Sequence, residues 1–533
     1  MSLYRTYRAP SANGEALIEP GLSSASQSVS RNQATANSWR VSFADRPIAE
    51  VQKDAREQLR QDACAYSRKY RSVAEPAASQ AIVMAGHQPT LFHPGVWFKN
   101  FALAEVARLG NSSGHPRGMT AINLVIDNDV ASSSAVRVPV IDNVSGLVRQ
   151  ESIPFDSAAG GVPYEQNRIR ERAIFASFGA RLRDTISPLV PEPLVTPLWK
   201  YAQGAVARCE NVSCALAHAR HSLEGEVGLQ TLELPLSVVC RTESFASFVI
   251  EIVRSAARFR EIYNQSIVDY RLHHGIRSNA HPVPELSVRD DWTEMPFWLY
   301  GDDSPQRRAL WVRSDGAFIE LSDRKQKHLR LSTSAGANVA AEALAAQAGP
   351  NWKLRPRALM TTMYARMVLS DLFIHGIGGA KYDQLGDQIM HRFFGIQSPE
   401  MMVVSATVQL PAEDLISQSE SVDSIRQKLR DTQFAPETFA DQLELPRSLL
   451  ERKRELLASI PDLGQRLSWH QEMHRINQLL SGELAEVRAR LEALLQLAKQ
   501  QATSKAILKS REYSFCMYNL DDLRQRFASM LLS

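Results

Sequence analysis

Apolar positions along this chain fall into two patterns: short continuous runs in its first half and a long helical stripe near its end. The runs are residues 81–85, Ala-Ile-Val-Met-Ala, and 121–126, Ala-Ile-Asn-Leu-Val-Ile. Short runs of this kind suit parallel strands covered on both faces. Between them, Pro94 and Gly95 precede an apolar stretch from Val96 to Ala104 that reads as a helix closing at Gly110. Strand, helix, strand is the βαβ unit. The pattern therefore predicts an α/β fold with a parallel sheet and a right-handed crossover.

Weaker patterns fill in the rest. Residues 47–72 read as a polar helix, 132–152 as a hairpin, and 164–184 and 196–227 as helical. One long helix is expected near 243–272, and short strands at 297–300, 309–313 and 318–321. Residues 338–348 and 383–394 are expected to be helical, and 358–375 is apolar but ambiguous between helix and strand. Residues 1–45, rich in Ser, Asn and Ala, predict a flexible arm with a short ordered piece around 39–43.

From about residue 446 glycine becomes rare, and Met473, Ile476, Leu480, Leu484, Val487, Leu491, Leu494 and Ala498 recur at steps of three and four. That is a seam at coiled-coil spacing. Pro461 and Gly464 separate it from a shorter helix, 449–460, so 446–500 predicts a helical hairpin. The shorter helix offers Leu449, Leu450, Leu456 and Leu457, which cover only part of the stripe. The remainder predicts a homodimer about a two-fold axis.

Composition narrows the function classes. A chain of 533 residues suggests two to four structural units. With 61 basic and 58 acidic residues the net charge is +3, so no global field draws it to nucleic acid or to an anionic membrane. The five cysteines, Cys64, Cys209, Cys214, Cys240 and Cys516, are scattered without C-x-x-C spacing, which favours a reducing compartment. The first residues carry no apolar signal region, and no apolar run approaches the ~18 residues that span a bilayer. The location expected is cytoplasmic.

Candidate chemistry clusters where the strands end, since ligands of open α/β sheets bind at the strands' carboxyl ends. Gly86-His87-Gln88-Pro89-Thr90-Leu91-Phe92-His93-Pro94-Gly95 follows the first strand and reads as a nucleotide site. Gly86 allows close approach of a phosphate, His87 and His93 can donate to its oxygens, and the helix start adds a positive dipole end with Lys99 one turn in. The same stretch also reads as a tight turn with two structural histidines. Asp127-Asn128-Asp129 ends the second strand. It can hold Mg2+, orient a substrate hydroxyl or act as a base, or simply make a turn. Arg355, in Leu354-Arg355-Pro356-Arg357, can grip an anion. Gly376-Ile377-Gly378-Gly379-Ala380-Lys381-Tyr382 reads as a hinge or a phosphate loop. Arg277, His273, His274 and His281 form a basic loop without Cys or carboxylate at ligand spacing, so no metal site is read.

These segments resemble a known family. The 86–95 turn is similar to the Gly-Gln-Gln…Gly-Pro turn of the cysteine-adding enzymes of bacillithiol biosynthesis, the BshC family. Leu354-Arg355-Pro356, the 376–382 loop and Phe394-Gly395-Ile396 match further segments of it. The resemblance implies a Rossmann-like core of the HUP, nucleotidyltransferase-like kind, with a helical insertion and a dimerising C-terminal coiled coil. Mapped on this chain, the core is 46–445, the insertion about 164–280, the hairpin 446–500, and 501–533 returns to the core. The activity implied is a ligase joining an amino acid, cysteine in the family, to an amine acceptor. ATP or another adenine nucleotide, with or without Mg2+, would activate the carboxylate. His87, His93, Asp127 and Asp129 would be catalytic. Gly86, Gln88, Lys99, Gly378, Gly379 and Lys381 would bind the nucleotide, and Asn128, Arg355 and Tyr382 the substrate. This chain lacks the His of the family's second strand end and gains two in the first turn, which points to a divergent substrate. The alternative is a non-catalytic dimeric scaffold keeping a degenerate pocket.

Overall fold

The computed structural model of the chain describes all residues except 1–4, 78–79, 115–117, 132, 143, 159, 277–282, 413–419, 463, 465 and 533. It divides into two compact units. One comprises Met1–Val138, Ser152–Gln409 and Arg511–Ser533, the other Pro139–Glu151 and Leu410–Ser510.

The first unit opens with β1 (Glu15–Glu19), α1 (Ala25–Ser38) and α2 (Ile48–Ser67). The βαβ unit follows as β2 (Ala81–His87), α3 (Pro94–Leu109) and β3 (Met119–Val125). A hairpin, β4 (Ala135–Ile141) with β5 (Val148–Pro154), carries the short segment that belongs to the second unit. Helices α4 (Arg172–Ile186), α5 (Val195–Val206) and α6 (Val212–Glu226) lead to β6 (Leu232–Pro235), then α7 (Glu243–Val253) and α8 (Ala256–His274). The expected single helices at 196–227 and 243–272 are thus each two. The first is broken where Asn211 turns out to cap α6, the second where Ser255 leaves helical geometry.

Four antiparallel strands come next: β7 (Trp292–Gly301), β8 (Ser304–Ser314), β9 (Phe318–Ser322) and β10 (His328–Ser332). After α9 (Ala337–Gln347), β11 (Lys353–Pro356) joins them, giving the order β10-β9-β8-β7-β11. The ambiguous stretch 358–375 resolves into α10 (Ala358–Tyr364), a wider helical turn and β12 (Leu372–His375). Then come α11 (Ile377–Ile389) and β13 (Met401–Thr407).

The main sheet has the order β1-β13-β12-β2-β3-β6, parallel throughout except for β1. Counting from β2, the chain builds outward through β3 and β6. It then returns to the other side of β2 for β12 and β13. This reversal opens a crevice at the carboxyl ends of β2 and β12, where ligands of such sheets bind. Every residue of β3 is buried, which explains its continuous apolar run. Alternate side chains Ile82, Met84, Ile122 and Leu124 share one core with Val51 and Leu59 of α2 and Phe245 of α7. The opposite alternation faces α3, which packs on β2, β3 and β13.

The 1–45 arm is a correction. Its residues 15–19 pair antiparallel with β13, and Asn32 of α1 donates to the carbonyls of Asp371 and Glu400. Backbone pairing to a distant strand leaves no periodic signal in the arm itself.

The second unit contains α12 (Val422–Phe434), α13 (Arg447–Ala458), α14 (Arg466–Glu483) and α15 (Ala485–Leu508). The seam is not one helix, because Leu484 breaks it. Ile476, Leu480, Leu484, Leu491 and Ala498 are buried with Ile425 of α12 and Leu456 of α13. Helix α12, not anticipated, packs along α15. Arg511–Ser533 rejoins the first unit, where α16 (Leu520–Leu532) sets Phe527 against Trp97, Phe98 and Phe101. Among the described residues no helix is long and apolar enough to cross a membrane.

Candidate functional site

The crevice at the β2/β12 reversal holds a cavity of about 330 Å3. His93, Gly95 and Lys99 line it from α3, and Gly376, Ile377 and Gly378 from the start of α11. Ser405, Arg511 and Glu512 complete the polar lining, with Glu512 Oε1 3.5 Å from Arg511 Nε. Two helix N-termini therefore open on one space. No side chain caps α11, so its first-turn N–H groups have no intrahelical partner. Such ends attract anions.

His93 caps α3. Its Nδ1 accepts from the Gly95 N–H at 3.1 Å, which leaves the proton of the neutral ring on Nε2. Burial lowers its pKa, with Glu512 opposing and Arg511 adding to the effect. Lys99 is buried and donates to the Gly86 carbonyl at 2.5 Å. Burial, helped by Arg220, brings its pKa down to about 8. Arg511 is held by Thr407 Oγ1 at 2.9 Å and Ser405 Oγ at 3.3 Å, at the carboxyl end of β13. Gly95 lets α3 approach β13, since a Cβ there would lie 2.2 Å from the Ala406 carbonyl oxygen.

The sequence candidates divide among three places. His93, Lys99 and Gly378 meet in the cavity, and Gly86 is tied to it through Lys99. His87 does not face it. Its Nε2 accepts from Asn123 at 3.0 Å and its Nδ1 lies 3.2 Å from the Gln88 carbonyl, so both ring nitrogens are engaged inside the protein. Burial, Arg220 and Lys99 hold its pKa well down. It belongs to a buried network in which Asn123 also donates to Glu233, and Arg220 joins Glu233 to Glu224.

The third place lies on the other side of the β2 end. Arg355 donates through Nε and Nη2 to both oxygens of Glu165, at 2.9 and 3.0 Å, and is 1% exposed. Its fork is spent and cannot grip a ligand. Asn128 donates to the Pro356 carbonyl at 2.7 Å, tying β3 to β11. Asp129 accepts from Gln88 at 2.7 Å and Arg307 at 3.1 Å. Asp127 accepts from the Ser237 N–H at 2.9 Å and its hydroxyl at 2.5 Å. The two Asp side chains thus have separate protein partners. Lys381 and Tyr382 do not line the cavity. Lys381 is exposed, and Tyr382 packs against the core. Gly379 is needed beneath α11, where a Cβ would meet His375 Nδ1 at 2.7 Å. Of the basic loop, Arg277 and His281 lie outside the described residues.

Asp127 yields a pH prediction. Burial, with Glu165, drives its pKa up to about 7 against the pull of Ser237. A raised folded-state pKa gives stability that is complete below the unfolded value, about 3.9, and is lost as pH rises through about 7. Asp127→Asn should therefore remove roughly 2–3 kcal/mol of the stability change between pH 5 and pH 8. Thermal melts of both proteins at the two pH values check this. Parallel profiles would show that Asp127 stays ionised.

Sequence reasoning missed Arg511, which has no motif around it and reaches the cavity only through the return of the C-terminal segment. It also missed the group with metal-ligand chemistry that the described residues contain, Cys209, Cys214 and His218, whose C-x4-C-x3-H spacing lacks the C-x-x-C signal.

No family model matches the chain, and no curated protein matches it. Among solved structures, it is similar to a Campylobacter jejuni protein described as a "putative arginyl t-RNA synthetase". The identity is 8% over 90% of this chain and 98% of the other, with a TM-score of 0.20. At that score the likeness carries no argument about fold or activity.

Proposed function

We propose that this chain is a nucleotide-dependent ligase of the BshC-like kind, with a Rossmann-like, nucleotidyltransferase-like core. It would join an amino-acid carboxylate to an amine acceptor in the cytoplasm. The observation that carries the reading is the cavity where two helix N-termini, Lys99 and Arg511 converge at the reversal point of the parallel sheet. Fixed dipole ends and cations are the equipment for stabilising charge on a transferring phosphate. His93, with its proton on Nε2, would donate to the ligand, and Lys99 and Arg511 would grip the anion. Gly378 brings the α11 backbone to the ligand. Free thiols at all five cysteines suit a reducing compartment.

Calorimetry with ATP, ADP and pyrophosphate tests the site. Lys99→Met and Arg511→Ala should each weaken binding about 10–100-fold, the worth of a charge-assisted hydrogen bond. Wild-type affinity should fall as pH rises above about 8, as the Lys99 ammonium is lost, and Lys99→Met should show no such step. Equal affinity in all three proteins removes the cavity as the site. Release of phosphate or pyrophosphate that needs both an amino acid and an amine tests the reaction. Binding without any such release leaves the scaffold reading instead.

The homodimer rests on narrower ground than the whole seam. Leu491 is buried within its own unit, whereas Leu494 and Leu497, one turn apart on α15, are 39% and 44% exposed. Sedimentation of wild type should give the mass of two chains, and Leu494→Asp with Leu497→Asp that of one. A wild-type mass of one chain ends the proposal.

A further inference from the structure

Cys209, Cys214 and His218 come from one loop and one helix. Cys209 follows α5, and Cys214 and His218 lie four residues apart on one face of α6. Asn211 fixes the start of that helix by accepting from the N–H groups of Ser213 and Cys214, at 2.9 and 3.2 Å. The His218 ring is held by stacking on Tyr70 at 3.9 Å and by Tyr66, whose hydroxyl lies 3.0 Å from Nε2. The two sulfurs and the ring nitrogen all lie within 4.8 Å of one another. Cys214 Sγ stands 3.6 Å from His218 Nε2. A tetrahedral zinc ion with Zn–S near 2.3 Å and Zn–N near 2.0–2.1 Å sets that same edge at about 3.6 Å.

We infer that Cys209, Cys214 and His218 form a zinc site with an open fourth position. The ligand types select the ion: two thiolates and an imidazole, with no carboxylate among them, suit a soft or borderline cation and not Mg2+ or Ca2+. Two thiolates neutralise the charge of Zn2+, so binding it places no net charge in a half-buried pocket. His218 is buried while both cysteines are partly exposed, so the ion enters from the cysteine side. Binding takes His218 Nε2 from the Tyr66 hydroxyl. Among the described residues no fourth His, Cys, Asp or Glu joins the group. The fourth position falls to water or to a small exogenous ligand.

The test uses the full chain, reduced and freed of metal by a chelator. Titration with Zn2+ against a chromophoric competitor should show one equivalent per chain. Uptake should make two of the thiols unreactive to a thiol reagent. Co2+ in its place should give the thiolate-to-metal absorption of a tetrahedral site. Cys214→Ser and His218→Ala should each weaken Zn2+ binding by more than about 100-fold, beyond what loss of a supporting contact does. Cys209→Ser, at a partly exposed loop position, keeps the test valid if either helix variant fails to fold. Absence of stoichiometric uptake by the reduced wild type would overturn the inference. So would uptake that Cys209→Ser leaves unchanged, or a Cys209–Cys214 disulfide that persists in reductant.

Discussion

Gly95→Ala is expected to lose anion binding altogether and to destabilise the fold by about 2–4 kcal/mol. The added methyl would lie 2.2 Å from the Ala406 carbonyl oxygen and 2.9 Å from His93 Cε1. The nearer obstacle is backbone in a central strand of the sheet, so α3 must move and not a side chain. Moving α3 shifts its N-terminus, the His93 cap and Lys99 together, and these form one wall of the cavity. Gly378→Ala is the control, because nothing stands within 4 Å of a Cβ there. It should melt like wild type. Thermal melts paired with pyrophosphate calorimetry read both effects. A Gly95→Ala protein that melts and binds like wild type would show that the helix–strand approach does not shape the site.

Arg220→Met is expected to cost about 3–5 kcal/mol, the penalty for breaking a buried ion pair from one side. Arg220 is 3% exposed and bonds Glu224 at 2.8 Å and Glu233 more closely still. Without it, two carboxylates stay buried without a cation. Burial already drives the Glu233 pKa up to about 7, with Arg220 pulling it back. Removing Arg220 should therefore push it higher. The variant should suffer more at pH 8, where the carboxylates must be charged, than at pH 5, where protonation relieves them. Melts at the two pH values check the sign. A loss under 1 kcal/mol at both would mean that a methionine fills the space as well as the charge did. The network also holds Asn123 and, through it, His87, so a shift in the β2 turn should accompany the loss.

Local sequence was enough for elements whose signal is local. Residues 81–85 and 121–126 are continuous apolar runs because their strands, β2 and β3, are covered on both faces. Pro94 at the head of α3 and the polar turn before it also mark their places without help from the rest of the chain. The turn's location at the sheet's carboxyl edge followed from that pattern. So did the choice of His93 and Lys99. What could not be read was which side chains the other strands would bring to them. His87 and His93 look alike in sequence. Only the packing of Asn123 against one and the Gly95 N–H against the other turns the first inward and the second to the cavity. Arg355 looked like an anion grip until Glu165, 190 residues away, took its fork. β1 and β13, missing from the sequence reading, are one antiparallel pair whose hydrogen bonds join residues nearly four hundred apart. The amino-acid order alone determined a βαβ start, a polar turn at its edge and an apolar helical C-terminal region. Their signals repeat within a few residues, set by the 2.0 and 3.6 periods of the backbone. The tertiary structure alone decided the sheet order, the reversal between β2 and β12, and which cations reach the crevice. Each of those depends on burial against distant partners, and no local period encodes it.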